Sequence, residues 1–228
     1  MERAQYIPRL NAYRIALSLI WALHFFGLLG LFWSPMNEGL RWLTPFSSFL
    51  SLTPLNLSVL GLLLIAFHPK WTGAQQLWLL ASACIGYGVE VLGVHTGAIF
   101  GEYRYGPVLG WQVAEVPLLM GVNWFVLVYT SGAIVSGWKV HKAVKAAGMA
   151  TLMTALDFLI EPVAIYWNFW QWGQPSVPLQ NYLAWWGIAF GLAYAWQRAF
   201  SGKINPLAVH IWWAQVSFFL VNNLLIFI

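Results

Sequence analysis

Three acidic residues lie inside stretches of the chain that are otherwise apolar: Glu90, Asp157 and Glu161. A charged side chain within a bilayer costs roughly 2.5–3.5 kcal/mol on insertion scales, so such residues usually serve a function. Asp157 and Glu161 are four residues apart, which places both on one face of a helix. Neighbouring carboxyl groups in apolar surroundings can act as a protonated acid beside an ionised base. The pattern therefore favours acid–base chemistry or ion passage inside a membrane.

The elements that must position these residues are predicted to be transmembrane helices. Of the 228 residues, 60% are hydrophobic and only 8% are charged, whereas soluble domains are typically about 25% charged. Apolar runs long enough to span a bilayer recur along nearly the whole chain. We predict an all-α integral membrane protein, a bundle of about seven transmembrane helices forming one polytopic domain over residues 1–228. The predicted helices lie at residues 15–33, 48–67, 77–97, 116–136, 144–167, 182–196 and 206–227.

The distribution of Lys and Arg predicts the orientation in the membrane. Nine basic residues fall at the amino terminus and in the second, fourth and sixth connections: Arg3, Arg9, Arg14, Lys70, Lys139, Lys142, Lys145, Arg198 and Lys203. Only Arg41 and Arg104 fall on the other side. Basic residues accumulate on the cytoplasmic side, so we expect a plasma-membrane protein with a cytoplasmic amino terminus and the three carboxyl groups in its outer half. The basic residues form no single patch, which argues against nucleic-acid binding.

Three separated motifs indicate a family. They are EVLGVHTGAIFGEYRY at residues 90–105, DFLIEP at 157–162 and PLQNYLAW at 178–185. Together they resemble the carotenoid biosynthesis membrane-protein family, which includes hydratases acting on acyclic end groups. The resemblance extends over roughly residues 75–200. It implies addition of water across the terminal carbon–carbon double bond of an open-chain carotenoid, giving a tertiary alcohol without a redox cofactor.

This reaction fits the carboxyl groups. Hydrating a trisubstituted alkene needs a proton donor strong enough to form a tertiary carbocation, a base that accepts a proton from water, and a pocket that excludes solvent. We expect Asp157 to be the proton donor, with Glu90 or Glu161 positioning and deprotonating the water. The histidines show no metal-ligand spacing and Cys84 is alone, so we predict an enzyme without metal or cofactor. Its expected partners are the carotenoid, water, the lipid bilayer and other carotenoid-pathway enzymes.

Further residues are candidates for substrate binding. Electron-rich aromatic faces stabilise cations, and amides can hold a water molecule by hydrogen bonds. The candidates are Tyr87, His95, Tyr103, Tyr105, Asn123, Trp124, Asn181 and Trp185. Tyr103 and Tyr105 flank Arg104 and fit an interfacial aromatic belt equally well. For His95, a position at the outer interface is the simpler interpretation.

Other functions use similar residues. A carotene cyclase would form the same cation and let an internal double bond capture it. A proton or ion transporter would need a polar route to both faces, yet the inner halves of the third and fifth predicted helices are almost wholly apolar. A retinal photoreceptor would need a mid-membrane Lys, which the seventh predicted helix lacks. A carotenoid-binding assembly subunit without catalytic activity stays open.

Overall fold

The computed structural model describes residues 10–33, 49–200 and 204–227. Within these residues the chain forms seven α-helices, which confirms the predicted fold class. The helices are α1 (Leu10–Phe32), α2 (Thr53–Ala66), α3 (Gly73–Thr96), α4 (Leu119–Val135), α5 (Lys142–Tyr166), α6 (Leu179–Ala199) and α7 (Leu207–Phe227), and a 3₁₀ segment, Phe49–Leu52, leads into α2.

Several of these helices are able to cross a membrane. The segments Leu10–Phe32, Phe49–Ala66, Gly73–Thr96, Lys142–Tyr166 and Leu207–Phe227 are long and apolar enough to do so. Helix α4 is equally apolar but has only 17 residues. Helix α6 has 21 residues, but its Trp, Tyr, Gln and Asn content makes it less apolar than the five. The chain is thus a multi-pass membrane protein.

Helix α4 forms the centre of the bundle. Thirteen of its 17 residues are buried, among them Trp124 and Tyr129, and it packs against α2, α3, α5, α6 and α7. A helix enclosed on all sides shows no amphipathic pattern, which explains why its sequence is apolar throughout. It begins three residues later than predicted, at Leu119, because Val116 and Pro117 belong to a strand.

Among the described residues, four short strands occur that the sequence did not predict, three in predicted connections and one at the start of the predicted fourth helix. The strands are β1 (Tyr103–Tyr105), β2 (Gln112–Val113), β3 (Val116–Pro117) and β4 (Trp170–Trp172). Strands β1 and β4 pair antiparallel, and β2 and β3 form a small hairpin. The β1–β4 ribbon joins the α3–α4 connection to the α5–α6 connection, so both lie at the same end of the bundle. We call this end the ribbon end.

Local signals explain where α3 begins and ends. Thr72 accepts a hydrogen bond from the Gln75 backbone, and the Gln75 side chain accepts one from the Thr72 backbone, which is a capping box. Gly97 ends the helix in the left-handed conformation, with φ of 63°, which favours glycine. Glu90 is therefore held about two turns before the ribbon end.

The predicted orientation in the membrane stays a prediction. Arg3, Arg9, Arg41 and Lys203, four of the basic residues on which it depends, lie outside the described residues, as does the predicted helix start at residue 48.

Candidate active site

Glu90 is the buried acceptor of three hydrogen bonds. Its Oε2 atom accepts from the hydroxyl groups of Tyr103 at 2.6 Å and Tyr105 at 2.7 Å. Its Oε1 atom accepts from the indole nitrogen of Trp124 at 2.9 Å. The side chain is 2% exposed. Because these donors come from β1 and α4, Glu90 connects three parts of the chain at the ribbon end.

Asp157 and Glu161 form a linked pair on α5. The Asn181 side-chain nitrogen donates to Asp157 Oδ2 at 3.2 Å and to Glu161 Oε1 at 3.3 Å. Glu161 Oε2 also accepts from the indole nitrogens of Trp170 at 3.0 Å and Trp172 at 2.9 Å. All three carboxyl groups are buried, with Asp157 1% exposed. Glu161 thus accepts three hydrogen bonds, whereas Asp157 accepts one from the described residues.

The β1–β4 ribbon supplies four of these donors from one face. In its register Tyr103 lies opposite Trp172, and Tyr105 lies opposite Trp170. Side chains alternate between the two faces of a strand, so these four aromatic residues share one face. The residue between them in β1, Arg104, is exposed on the other face. The ribbon therefore covers the carboxyl groups with a layer of hydrogen-bond donors.

The two phenol groups are fixed as donors. Burial, followed by the charge of Glu90, raises the pKa of Tyr103 and of Tyr105 well above the ordinary value. Both hydroxyl groups therefore keep their protons over the ordinary pH range. They are donors to Glu90 that remain uncharged themselves, and hydrogen bonds of this kind stabilise a carboxylate.

Further aromatic rings lie beside the carboxyl groups. Trp124 and Trp185 stack with their ring centroids 4.3 Å apart and their planes at 16°, and Phe100 lies against both Tyr103 and Trp185. The close approach of α3 to α4 depends on Gly86, because a Cβ there would lie 2.3 Å from Trp124.

A small pocket lies among these groups. Its volume is about 20 Å³, and it is lined by Glu90, Phe100, Tyr103, Tyr105, Met120, Asp157, Glu161, Trp170, Trp172, Asn181 and Trp185. A water molecule needs roughly 10–15 Å³ of such volume, so the pocket has room for about one. We call it the acid pocket.

The structure brings together most of the predicted site residues but not all of them. Glu90, Asp157, Glu161, Tyr103, Tyr105, Asn181 and Trp185 line the acid pocket, and Trp124 donates to Glu90. The other three lie elsewhere. The Tyr87 hydroxyl donates to the Val113 carbonyl at 2.7 Å, the exposed His95 ring bonds the Val91 carbonyl, and Asn123 lines a different, larger cavity.

Helix geometry explains two of these differences. Residues five apart on a helix point roughly 140° apart, so His95 does not share the face of Glu90. Adjacent residues point roughly 100° apart, so Asn123 cannot face the pocket beside Trp124. Sequence reasoning did not select Trp170, Trp172, Phe100 or Met120, which also line the pocket. The alternation in Trp-Gln-Trp at 170–172, matching Tyr-Arg-Tyr at 103–105, was the available signal for the two tryptophans.

The carboxyl groups do not form a recognisable metal site. In the part of the chain that the structure describes, no group of three or more His, Cys, Asp or Glu residues is arranged to hold a metal ion. What the arrangement offers chemically is three carboxyl groups with different numbers of hydrogen-bond donors, around a space for one small molecule.

Comparisons with known proteins place the chain in a family. A bisanhydrobacterioruberin hydratase from Haloarcula japonica is 33% identical over 115 residues, which are 47% of this chain and 39% of that protein. The chain therefore matches about two fifths of the length of this curated relative. No solved structure matches significantly. The family model described as "Carotenoid biosynthesis protein" matches residues 53–228, which include every residue of the acid pocket. The chain belongs to the carotenoid biosynthesis protein family.

Proposed function

We propose that the chain is a carotenoid hydratase, which adds water to the terminal double bond of an acyclic carotenoid. The observation that carries this proposal is the unequal hydrogen bonding of three buried carboxyl groups around a pocket with room for one water. The family and the name of the Haloarcula relative support the reaction class. Protonation of the terminal double bond gives a tertiary carbocation, and addition of water followed by loss of a proton gives the tertiary alcohol.

Asp157 is the proposed proton donor. Hydrogen bonds to a carboxyl group favour its ionised form. Glu90 and Glu161 each accept three, whereas Asp157 accepts only the 3.2 Å bond from Asn181 among the described residues. Asp157 is therefore the carboxyl group best suited to hold a proton until a double bond approaches. It transfers that proton to the alkene carbon that bears the hydrogen, which leaves the tertiary cation on the disubstituted terminal carbon, and Asp157 becomes a carboxylate.

Glu161 is the proposed base, and Glu90 the supporting carboxylate. The oxygen of water attacks the cation and forms the carbon–oxygen bond, and the resulting oxonium loses a proton to Glu161. Glu161 and Asp157 both accept a hydrogen bond from the Asn181 amide, so the two carboxyl groups lie close together. The proton can therefore return from Glu161 to Asp157. Glu90, held by two phenols and an indole, adds negative charge that stabilises the cation. No external co-reactant besides water is needed.

Aromatic faces support the same intermediate. The rings of Tyr103, Trp172 and Trp185 line the pocket, and Trp124 stacks on Trp185. Cations are attracted to the faces of such rings by about 0.5–2 kcal/mol, more strongly where water is excluded. A cyclase would use the same cation, but it must fold the chain end into a ring beside the acid. A pocket of about 20 Å³ favours water over that larger rearrangement.

We also propose that the protein works as one domain in the plasma membrane, with its amino terminus in the cytoplasm. It uses no metal or redox cofactor, and it receives its substrate from the bilayer or from other carotenoid-pathway enzymes. The multiple apolar helices support the membrane setting.

The test is expression in cells that accumulate lycopene, followed by mass analysis of the pigments. The wild type is expected to yield a product heavier by one water. Asp157→Asn, which keeps the size of the side chain but cannot donate an acidic proton, is expected to reduce this product by roughly 10²-fold or more, the range for loss of a general acid. Glu161→Gln is expected to show a similar loss.

Glu115→Gln is the matched control, because Glu115 is an exposed carboxylate in the connection before α4. It should retain wild-type turnover at equal protein amounts in the membrane. An isomeric product of unchanged mass would contradict the hydratase proposal and show that the protein is a cyclase. Near-normal hydration by Asp157→Asn would show that Asp157 is not the proton donor.

A further inference from the structure

A large cavity lies beside the acid pocket. Its volume is about 420 Å³, and its walls come from α1, α2, α4, α5 and α7 with the segments around Leu109 and Phe169. Its lining residues are apolar, aromatic or glycine except for His24, Thr53, Asn56, Asn123 and Gln215. A binding space lined in this way selects hydrocarbon over polar or charged ligands. We call it the apolar cavity.

The apolar cavity adjoins the acid pocket at two residues. Met120 and Trp170 line both spaces, and each therefore forms part of the partition between them. The acid pocket is about twenty times smaller, at about 20 Å³ against about 420 Å³. It has room for the attacking water but not for a hydrocarbon chain. The apolar cavity is the adjoining space that can hold such a chain with its end at the carboxyl groups.

The two residues of the partition differ in how freely their side chains can change conformation. Trp170 donates a hydrogen bond to Glu161 at 3.0 Å, which holds its ring in place. Met120 is 3% exposed, and its thioether receives no hydrogen bond from the part of the chain that the structure describes. Methionine has three rotatable side-chain bonds and adapts readily to its surroundings. Met120 is thus the part of the partition that can move aside.

We infer that the apolar cavity binds the hydrocarbon chain of a linear isoprenoid substrate, and that the reactive end reaches the carboxyl groups past Met120. This inference rests on the proposed function and deepens it by assigning the substrate channel. None of the described residues that line the cavity is charged, so the hydrocarbon chain is recognised by its shape and its apolar character.

Helix α1 forms one wall of this channel. It lines the cavity from Leu19 to Leu31, a length of about 18 Å at 1.5 Å per residue. The family model begins to match only at residue 53, so this wall lies before the matched residues. The acid pocket, in contrast, is built wholly from matched residues. The hydrocarbon chain is therefore enclosed in part by α1, a helix that carries none of the residues of the acid pocket.

The experiment measures binding apart from turnover. Asp157→Asn protein is purified in detergent, mixed with lycopene in micelles and separated by size exclusion, and the pigment retained per protein is measured by absorbance. Ala22→Phe fills the cavity from α1 and is expected to lower retention roughly tenfold, because the added ring occupies space that the hydrocarbon chain would fill. Ala12→Phe adds the same ring on the same helix outside the cavity, where Ala12 is exposed, and should retain pigment like its parent.

A second pair of variants guards against misfolding. Leu57→Trp fills the cavity from α2, whereas Leu62→Trp places the same ring at a position that is 63% exposed and outside the cavity. Only Leu57→Trp should lose pigment. In the otherwise wild-type protein, Met120→Phe should bind pigment normally but lose turnover about tenfold or more, because a bulkier rigid ring blocks the passage.

The outcomes separate this inference from the hydratase proposal. Ala22→Phe and Leu57→Trp are also made in the otherwise wild-type protein to measure hydration. If they bind lycopene in the Asp157→Asn protein and hydrate it in the otherwise wild-type protein like their controls, while Asp157→Asn alone is inactive, the channel is wrong and the hydratase stands. If the wild type shows no hydration but the cavity variants alone lose pigment, the channel stands and the hydratase is wrong. If Met120→Phe hydrates at the wild-type rate, Met120 is not the passage.

Discussion

At the scale of single residues, the site depends on how many donors each carboxyl group receives. Glu90 and Glu161 each accept three hydrogen bonds, and Asp157 accepts one from the described residues. Three similar groups in one buried layer thereby acquire different tendencies to hold a proton. This inequality, more than the presence of three carboxyl groups, suits the layer to acid–base chemistry.

The phenol groups offer a direct test of this reading. Tyr103→Phe removes the 2.6 Å bond to Glu90 and leaves the ring in place. Hydrogen bonds to charged groups contribute about 1.5–3 kcal/mol, so we expect hydration to fall by roughly 10- to 100-fold. The measurement is the rate of water addition to lycopene in membranes, normalised to the amount of protein.

Tyr166→Phe is the matched control. Tyr166 lies at the end of α5, is 57% exposed and is absent from the acid pocket. Removal of the Tyr166 hydroxyl group should leave the rate of lycopene hydration within about twofold of the wild type, as expected for an exposed substitution away from the site. Equal rates for Tyr103→Phe and Tyr166→Phe would mean that the phenol does not contribute to the reaction.

At the scale of elements, the site depends on contacts that bring distant segments together. The β1–β4 ribbon places two pairs of aromatic donors over the carboxyl groups. The other decisive contact is between α3 and α4, where Gly86 lies against Trp124. That contact allows the Trp124 indole to reach Glu90.

Gly86→Ala is expected to disturb this contact. The added Cβ would lie 2.3 Å from Trp124, so the two helices must shift apart. We expect a loss of about 1–3 kcal/mol of stability, the usual cost of overpacking, and lower turnover because Trp124 moves away from Glu90. Thermal unfolding in detergent and lycopene hydration measure the two effects.

Gly88→Ala tests whether the effect is local. Gly88 lies in the same helix, and a Cβ there meets no heavy atom within 4 Å. Alanine has the higher helix propensity, by about 1 kcal/mol, so this variant should be at least as stable as the wild type. If both variants behave alike, the close approach at Gly86 does not position Trp124.

At the scale of the whole molecule, a second buried polar network lies at the end opposite the ribbon. Tyr129 of α4 contacts His68 Nδ1 at 2.5 Å, and the Asn205 backbone nitrogen donates to its hydroxyl at 3.2 Å. The Asn205 side chain in turn donates to the carbonyls of Leu63 and Leu64 at 2.9 Å. This network joins the α2–α3 and α6–α7 connections to the central helix. One end of the bundle thus holds the acid pocket, and the other fastens the helices together.

His68 makes the stability of this end depend on pH. Burial lowers the pKa of His68 below its ordinary value of 6.5. The unfolded chain therefore takes up a proton at a higher pH than the folded protein does. The contribution of His68 to stability is complete above about pH 6.5 and is lost as the pH falls through the lower, folded-state pKa.

The check is the Tm of the detergent-solubilised protein between pH 8 and pH 5. The Tm of the wild type should fall more steeply on acidification than that of His68→Asn, whose side chain does not titrate. The difference between the two curves isolates His68 from the other titrating groups. Parallel curves would show that His68 is not the source of the pH dependence.

The sequence by itself determined the class of protein and the residues at the centre of the site. Apolar runs and few charges are properties of composition, so the helical membrane fold could be predicted without knowing how the helices pack. Carboxyl groups in such runs are conspicuous because membranes tolerate them so poorly, which identified Glu90, Asp157 and Glu161. The four-residue spacing placed Asp157 and Glu161 on one face, as the structure confirms through their common partner Asn181.

Only the tertiary structure decided which neighbours reach these groups. Trp170 and Trp172 join the site because β4 pairs with β1, more than 60 residues earlier in the chain, and such pairing depends on the packing of whole helices. Sequence proximity did not bring His95 or Asn123 into the acid pocket, because direction around a helix axis changes by roughly 100° per residue. The apolar cavity could not be predicted either. It arises between five helices, and the space left between packed surfaces is a property of their arrangement and of no single segment.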